Sequence, residues 1–197
     1  MHDSLKPAKH STLNQLKLVL LDRDGVLNED SPAYIRAPAD WRSIPGSMEA
    51  LALLHQADIR CALCTNQAGI GRGIFDHHAL AAIHQQMEKQ IAAAGGKLEL
   101  IRYCPHHPEA GCGCRKPKTG MLIDCLTELR VAPEDTLFVG DSLHDMQAAL
   151  DARCQPALVR HPKAGRNETE LEAQARALGV RCFYPDLASL VEDLISL

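Results

Sequence analysis

Basic residues do not predominate in this chain of 197 residues: 21 Lys and Arg stand against 25 Asp and Glu, a formal net charge of -4. A general nucleic-acid binder would carry a basic footprint, so that class is excluded. Aromatic residues are scarce at 4%, although the hydrophobic fraction of 46% is ordinary for a soluble protein. No apolar run approaches the length of a membrane span, and the N-terminus lacks the apolar core of a signal peptide. Internal repeats and low-complexity segments are absent. The length supports one substantial core and is short for two full domains. Residues 1–15 are polar, with scattered Lys and His, and read as a loose tail ahead of a single domain over 16–197. The expectation is a cytoplasmic protein with neither nucleic acid nor membrane as partner.

A secretory context, which would turn the eight cysteines into a disulfide framework, is missing too. Cys61, Cys64, Cys125, Cys154 and Cys182 lie in apolar stretches and read as buried small hydrophobes. Cys61-x-x-Cys64 has the spacing of a redox or zinc pair, but Ala62 and Leu63 make it part of a strand.

What is present centres on Leu18-Val19-Leu20-Leu21-Asp22-Arg23-Asp24-Gly25-Val26-Leu27-Asn28. The apolar run is too short for a helix and ends in turn chemistry, which reads as a buried parallel strand. Side chains two apart on an extended segment share a side. Asp22 and Asp24 therefore converge just past the carboxyl end of the strand, where open α/β sheets bind ligands. Two such carboxylates repel unless a proton or a divalent cation sits between them, and hard oxygen ligands favour magnesium. Gly25 allows the sharp turn and close approach of a ligand.

Downstream, Glu29 to Pro45 is an irregular, proline-containing segment placed to wall a site. Ser47 is expected to cap a helix carrying Met48, Leu51 and Leu54. Ile59 to Cys64 reads as a second buried strand, leading into Thr65-Asn66-Gln67-Ala68-Gly69-Ile70-Gly71-Arg72-Gly73, whose hydroxyl, amides and glycines suit a phosphate. Asp76 opens a helix to about Ala94 with Leu80, Ile83, Met87 and Ile91 on one face, stopped by Gly95-Gly96. Leu98 to Tyr103 forms a third strand. Thr119 to Leu129 is a helix, Thr136 to Val139 a strand, and Gly140-Asp141-Ser142-Leu143-His144-Asp145 opens the next helix. Asp141 is a third acidic position on the ligand edge; Asp145 either caps and orients its neighbours or is an ordinary first-turn acid. Pro156 to Val159 is a strand, Arg160 to Arg166 a basic loop read as solvated, with a place near the phosphate as the alternative, Glu168 to Leu178 a helix, and Val180 to Phe183 and Leu187 to Ile195 a last strand and helix. Alternating strands and helices imply βαβ units on a largely parallel sheet.

The loop Cys104-Pro-His106-His107-Pro-Glu-Ala-Gly-Cys112-Gly-Cys114-Arg115-Lys116-Pro117 gathers three thiols and two imidazoles on Pro/Gly chain with no core of its own. Cys-x-His and Cys-x-Cys pairs supply four ligands for tetrahedral zinc, and with every position filled by protein the site is structural. Spacing leaves His106 and His107 open. Arg115 and Lys116 follow directly, a fork for bidentate recognition and a compact charge for a phosphate oxygen or a carboxylate.

Asp-x-Asp-Gly after the first strand, Thr65 after the second, Lys116 before a later helix and Gly-Asp after a further strand together resemble the haloacid dehalogenase-like phosphohydrolases. The fuller strings around Asp22, Thr65 and Cys104 to Pro117 are similar to the branch holding D-glycero-D-manno-heptose 1,7-bisphosphate 7-phosphatases and histidinol-phosphate phosphatases, over about Leu18 to Val159. The resemblance implies a three-layer, doubly wound, mostly parallel sheet of Rossmannoid type, without a large cap domain. It implies Asp22 as nucleophile, Asp24 as acid and base, and magnesium on Asp22, the Asp24 carbonyl and Asp141. Thr65 and Lys116 would hold the phosphoryl oxygens, Asn66 and Arg115 would contact substrate, and structural zinc would sit on Cys104, His106, Cys112 and Cys114. The implied partner is a small phosphorylated sugar, met by a monomer, in the synthesis of activated heptose for cell-envelope polysaccharide. Histidinol phosphate is the alternative substrate, and an inactive zinc-containing binding module the alternative of another class. Ser142 stands where some heptose bisphosphatases carry Lys, and the span from His106 to Cys112 is short; both bear on substrate.

Overall fold

The computed structural model describes residues 16–160 and 165–196. The expected tail over 1–15 and the middle of the basic loop, 161–164, lie outside the described residues.

Six strands form one sheet: β1 (Leu18–Leu21), β2 (Arg60–Asn66), β3 (Leu100–Cys104), β4 (Thr136–Gly140), β5 (Gln155–Val159) and β6 (Cys182–Tyr184), in the spatial order β3-β2-β1-β4-β5-β6 and parallel throughout. Parallel neighbours need crossovers, and helices supply them on both faces. α1 (Ser47–Gln56) joins β1 to β2, and a short α2 (Ala68–Gly71) and α3 (His77–Ala93) join β2 to β3. α4 (Gly120–Leu129), α5 (Leu143–Asp151) and α6 (Glu168–Leu178) make the remaining crossovers, and α7 (Leu187–Ile195) closes the described chain.

The two-residue period of the strands sorts their side chains between the layers. Val19, Leu21, Leu63, Leu137 and Val139 pack with Leu51, Ile83, Met87 and Leu190 from α1, α3 and α7. Leu18, Leu20, Ala62, Cys64 and Phe138 pack with Leu122, Cys125, Ala148 and Ala149 from α4 and α5. All four β1 side chains are buried, as they must be on a central strand covered on both sides. The architecture is the three-layer, doubly wound one that the sequence implied, with no inserted cap among the described residues.

Local differences have local causes. Ser47 is the first helical residue rather than the cap; Gly46, at φ 81°, precedes it, and the buried Ser47 hydroxyl donates to the carbonyls of Leu27 and Ile44. β2 runs two residues past Cys64, which puts Thr65 and Asn66 on the strand itself, opposite Tyr103 and Cys104. Asp76 caps α3 through the Ala79 amide at 2.8 Å, as its position predicts. Cys182 is only half-buried, while Cys61, Cys64, Cys125 and Cys154 lie in the core. No helix among the described residues is long and apolar enough to cross a membrane.

Candidate active site

Because every strand points the same way, β3, β2, β1 and β4 deliver their carboxyl ends to one edge of the sheet. Leu21 lies opposite Leu63 and Val139, so Asp22 leaves β1 between the end of β2 and the start of the turn after β4. Gly25 then reverses the chain at φ +81°; a Cβ there would lie 2.4 Å from Asp141 Oδ2, so only glycine lets the two segments approach. The result is a cleft of about 420 Å³ lined by Asp22, Arg23, Asp24, Asn66, Gln67, Lys116, Asp141 and Asp145, with Asp30 to Ile35 along one wall. That wall comes from the irregular segment after β1, as its position in the sequence suggested.

The floor is a chain of opposite charges. Lys116 Nζ lies 2.9 Å from Asp22 Oδ1 and 2.6 Å from Asp145 Oδ1, over the Phe138 ring. Burial by itself pushes the Lys116 ammonium down, but Asp145 and Asp22 outweigh it and leave it above its ordinary value. Burial pushes the Asp22 carboxyl up to about 7; Lys116 opposes this, and Asp145, Asp141 and Asp24 reinforce it. The Arg23 amide also donates to Asp22 Oδ1, at 2.8 Å, and no donor among the described residues engages Oδ2. One carboxylate oxygen of each of Asp22, Asp141 and Asp145 lies within 4.8 Å of the others. Three carboxylates gathered about one ammonium carry an excess of negative charge and hard oxygen donors, which suits a divalent metal.

Asp24 faces differently. Its oxygens accept from Arg23 Nη2 at 2.9 and 3.0 Å, Asn28 Nδ2 at 2.9 Å and Gln67 Nε2 at 3.1 Å. Burial works to raise its pKa, but the Arg23 charge and these hydrogen bonds prevail and hold it below the ordinary carboxylate range. Its side chain is therefore separate from the carboxylate cluster, and only its carbonyl remains for the metal role the resemblance implied.

Thr65 is buried, its Oγ1 accepting from Gln67 Nε2 at 2.9 Å. The Asn66 side chain is engaged twice with the Lys116 backbone, donating to its carbonyl and accepting from its amide, both at 3.1 Å. Asn66 thus fixes the lysine in addition to lining the cleft. Arg115 is half-buried and is not one of the residues lining the cleft.

Beyond β3, Cys104 Sγ lies 3.5 Å from His106 Nδ1 and 3.6 Å from Cys112 Sγ, and Cys114 Sγ lies 3.3 Å from His106 Nδ1. A tetrahedral zinc with ordinary bond lengths separates its ligands by about 3.5–3.8 Å. The four atoms lie within 4.8 Å of one another. His107, half-exposed, turns away and accepts from the Glu109 amide at 3.3 Å, so the histidine that the structure groups with the three thiols is His106. Hydrogen bonds from the Arg115 backbone and the neighbouring thiols outweigh burial and lower the Cys112 thiol to about 7.

Two participants, Arg23 and Arg166, escape the motif reading, and for a third, Asp145, the capping alternative is the one the structure shows. Arg23 sits between the two aspartates with a side chain only 1% exposed, where sequence alone gives an arginine no partner. Asp145 shares a capping box with Ser142, accepting from its amide and hydroxyl at 3.1 and 2.6 Å; the Ser-x-x-Asp spacing was the available signal. Arg166, at the end of the basic loop, is not solvated: its Nη1 reaches the Asp141 carbonyl at 2.8 Å and Oδ2 at 2.7 Å. No sequence pattern announces that contact.

A haloacid dehalogenase-like hydrolase family model matches residues 30–153. The chain is 43% identical over 180 residues to the D-glycero-beta-D-manno-heptose-1,7-bisphosphate 7-phosphatase of Bordetella bronchiseptica, covering 91% of this chain and 98% of that protein. With the enzyme of the same name from Pseudomonas aeruginosa it shares 47% identity over 149 residues, 76% of this chain and 84% of the relative. The crystal structure of the B. bronchiseptica D,D-heptose 1,7-bisphosphate phosphatase complexed with magnesium and phosphate superposes with a TM-score of 0.83 at 42% identity, covering 92% of this chain and 99% of the other.

Proposed function

The chain belongs to the haloacid dehalogenase-like hydrolases, and we propose that within them it is a magnesium-dependent phosphatase removing the 7-phosphate of D-glycero-D-manno-heptose 1,7-bisphosphate. The observation that carries this reading is the Asp22–Lys116–Asp145 chain, with Asp141 beside it, in a chain matching heptose bisphosphatases over nine-tenths of its length.

Asp22 is the nucleophile. Lys116 and the Arg23 amide hold Oδ1, which leaves Oδ2 to attack phosphorus and form an aspartyl-phosphate as the bond to the sugar oxygen breaks. Asp24, ionised at rest beside Arg23, takes up a proton from solvent and gives it to the departing primary alkoxide, then takes one from the water that hydrolyses the intermediate. The Thr65 hydroxyl and Lys116 ammonium bind the equatorial phosphoryl oxygens, where charge gathers in the transition state. Asp22, Asp141 and the Asp24 carbonyl hold the magnesium, with Asp145 anchoring Lys116. When bound, magnesium neutralises charge between the nucleophilic carboxylate and the phosphoryl group. Asn66 contacts the substrate from the cleft lining, and Arg115, which does not line the cleft, reaches only a part of the substrate that extends beyond it. Cys104, His106, Cys112 and Cys114 hold structural zinc, and the thiol–imidazole spacing supports that assignment.

Residues 16–197 act as one domain in a monomer. All eight cysteines are free, which suits the reducing cytoplasm where activated heptose is made for envelope polysaccharide. The test is phosphate release with magnesium from heptose 1,7-bisphosphate and from histidinol phosphate, side by side, with Asp22→Asn as the blank. A higher kcat/KM on the bisphosphate over a silent blank supports the reading. Preference for histidinol phosphate would move the enzyme to histidine synthesis with its mechanism intact.

A further inference from the structure

Gln67, the first residue beyond β2, is 3% exposed and lines the cleft. Its Nε2 donates to two side chains at once, Asp24 Oδ2 at 3.1 Å and Thr65 Oγ1 at 2.9 Å. An ionised carboxylate only accepts, so the amide must present nitrogen to Asp24, and an amide nitrogen carries two hydrogens. Both are spent here. One ties down the oxygen of Asp24 that Asn28 does not reach. The other occupies one of the two lone pairs of the Thr65 hydroxyl, whose own proton stays free to be donated.

The amide is itself fixed. The Gln67 backbone N–H donates to the Cys104 carbonyl at 2.8 Å, continuing the β2–β3 pairing past the strand end. Just beyond, Gly71 lies against the loop after β3 so closely that a Cβ would meet the His107 amide nitrogen at 2.2 Å. The side chain therefore rises from a turn braced by the cysteine–histidine loop.

We propose that Gln67 is a positioning residue for both halves of the reaction: one nitrogen aims the proton carrier Asp24 and sets the Thr65 hydroxyl as a donor to the phosphoryl group. This rests on the roles given to Asp24 and Thr65 under the proposed function. The two effects separate by leaving group. Expulsion of a primary alkoxide needs the Asp24 proton, whereas the phenolate of p-nitrophenyl phosphate departs without one; both substrates need the phosphoryl clamp.

The experiment compares Gln67→Met, which keeps length and removes the donors, on heptose 1,7-bisphosphate and on p-nitrophenyl phosphate with saturating magnesium. The expected kcat loss is about a hundredfold or more on the alkyl ester, the lower end of what general acid catalysis supplies, and at least tenfold smaller on the aryl ester. Placed on Asp24→Asn, the same substitution adds only the smaller, clamp-related loss, because the proton carrier is already gone. Equal losses on the two esters, no loss, or full additivity with Asp24→Asn each overturn the proposal. Gln67→Glu gives the same readout should the methionine variant fail to fold: it keeps the volume and faces Asp24 with an acceptor. If Asp22→Asn retains activity, or Asp24→Asn leaves alkyl turnover intact, the underlying functional reading fails instead.

Discussion

Replacing Lys116 by methionine keeps most of the stem and removes the charge that two acids share. At an effective dielectric near 20, contacts of 2.9 and 2.6 Å correspond to a gross attraction of about 6 kcal/mol each. Much of that is offset by desolvation of an ammonium 1% exposed. The net penalty follows from what remains: two carboxylates, one of them already poised near 7, facing each other without a cation. Breaking a buried pair in this way costs roughly 3–5 kcal/mol, or about 10 °C in the melting temperature of a domain this size. Magnesium should restore part of the loss, because it supplies charge to the same acids, so unfolding is followed calorimetrically with and without it. Catalysis should fall by roughly 10²–10³ in kcat, the usual consequence of losing one group that binds transition-state charge. Lys116→Arg should retain stability better than activity, since a planar fork cannot serve two oxygens as a point charge does. An unchanged melting temperature together with less than a tenfold kcat loss would refute the assignment of Lys116 as the shared counter-ion.

Purified protein should contain one zinc per chain by elemental analysis; withdrawing it with a zinc-selective chelator should lower the melting temperature, and magnesium alone should not restore activity. Recovery by magnesium alone would remove the structural role from Cys104, His106, Cys112 and Cys114. Burial and the Arg23 charge, against a smaller pull from Asp24, hold His84 down to about 4 from 6.5, and at about 1.4 kcal/mol per pH unit that gap is worth roughly 3 kcal/mol. Above 6.5 the imidazole is neutral in both states, and below about 4 it is charged in both; in between the unfolded chain binds the extra proton, so stability should fall as pH drops through this window. Denaturant titrations of His84→Phe should show a flatter fall, and an identical slope would count against the burial account. Gly25→Ala should lose at least tenfold in activity and roughly 1–3 kcal/mol in stability, because alanine is strained at φ +81° and its methyl would collide with Asp141.

The parts of the fold that could be read in advance are those where one local rule dominates. β1 and the stretch Cys61 to Cys64 of β2 are uninterrupted apolar runs because helices cover both faces, and α3 shows its inward stripe of Leu80, Ile83, Met87 and Ile91 together with its Asp76 cap. Helix α1 was misread at its first residue because Ser47 carries the right chemistry for a cap, yet Gly46 takes that position and the hydroxyl turns inward. Asp22, Thr65 and Asp141 could be brought to one edge from sequence, since parallel strands fix where their ends fall, and Lys116 by its place directly after the cysteine–histidine loop. The dual use of Gln67, the parking of Asp24 on Arg23, and the reach of Arg166 to Asp141 could not. Each depends on a partner from another segment, or on a rotamer that no spacing records.

The cysteine–histidine loop does more for this site than pin itself. A cleft with no cap domain must order its catalytic side chains from below, and the residues that do so hang on this loop by backbone contacts. Lys116 stands two residues after Cys114, with its peptide held by Asn66 from β2. Gln67 is tied through its amide to Cys104, the first thiol of the cluster. The loop is rich in proline and glycine and buries little of its own chain, with Ala110, Gly111 and Gly113 exposed, so packing alone cannot order it. A tetrahedral metal closing on its four ligands would supply that order and transmit it through the Cys104 carbonyl to the amide that aims Asp24. On the other side it would pass through Cys114 to the ammonium that neutralises Asp22. Loss of the cluster should therefore cost proton transfer and phosphoryl binding together, although none of its four residues lines the cleft.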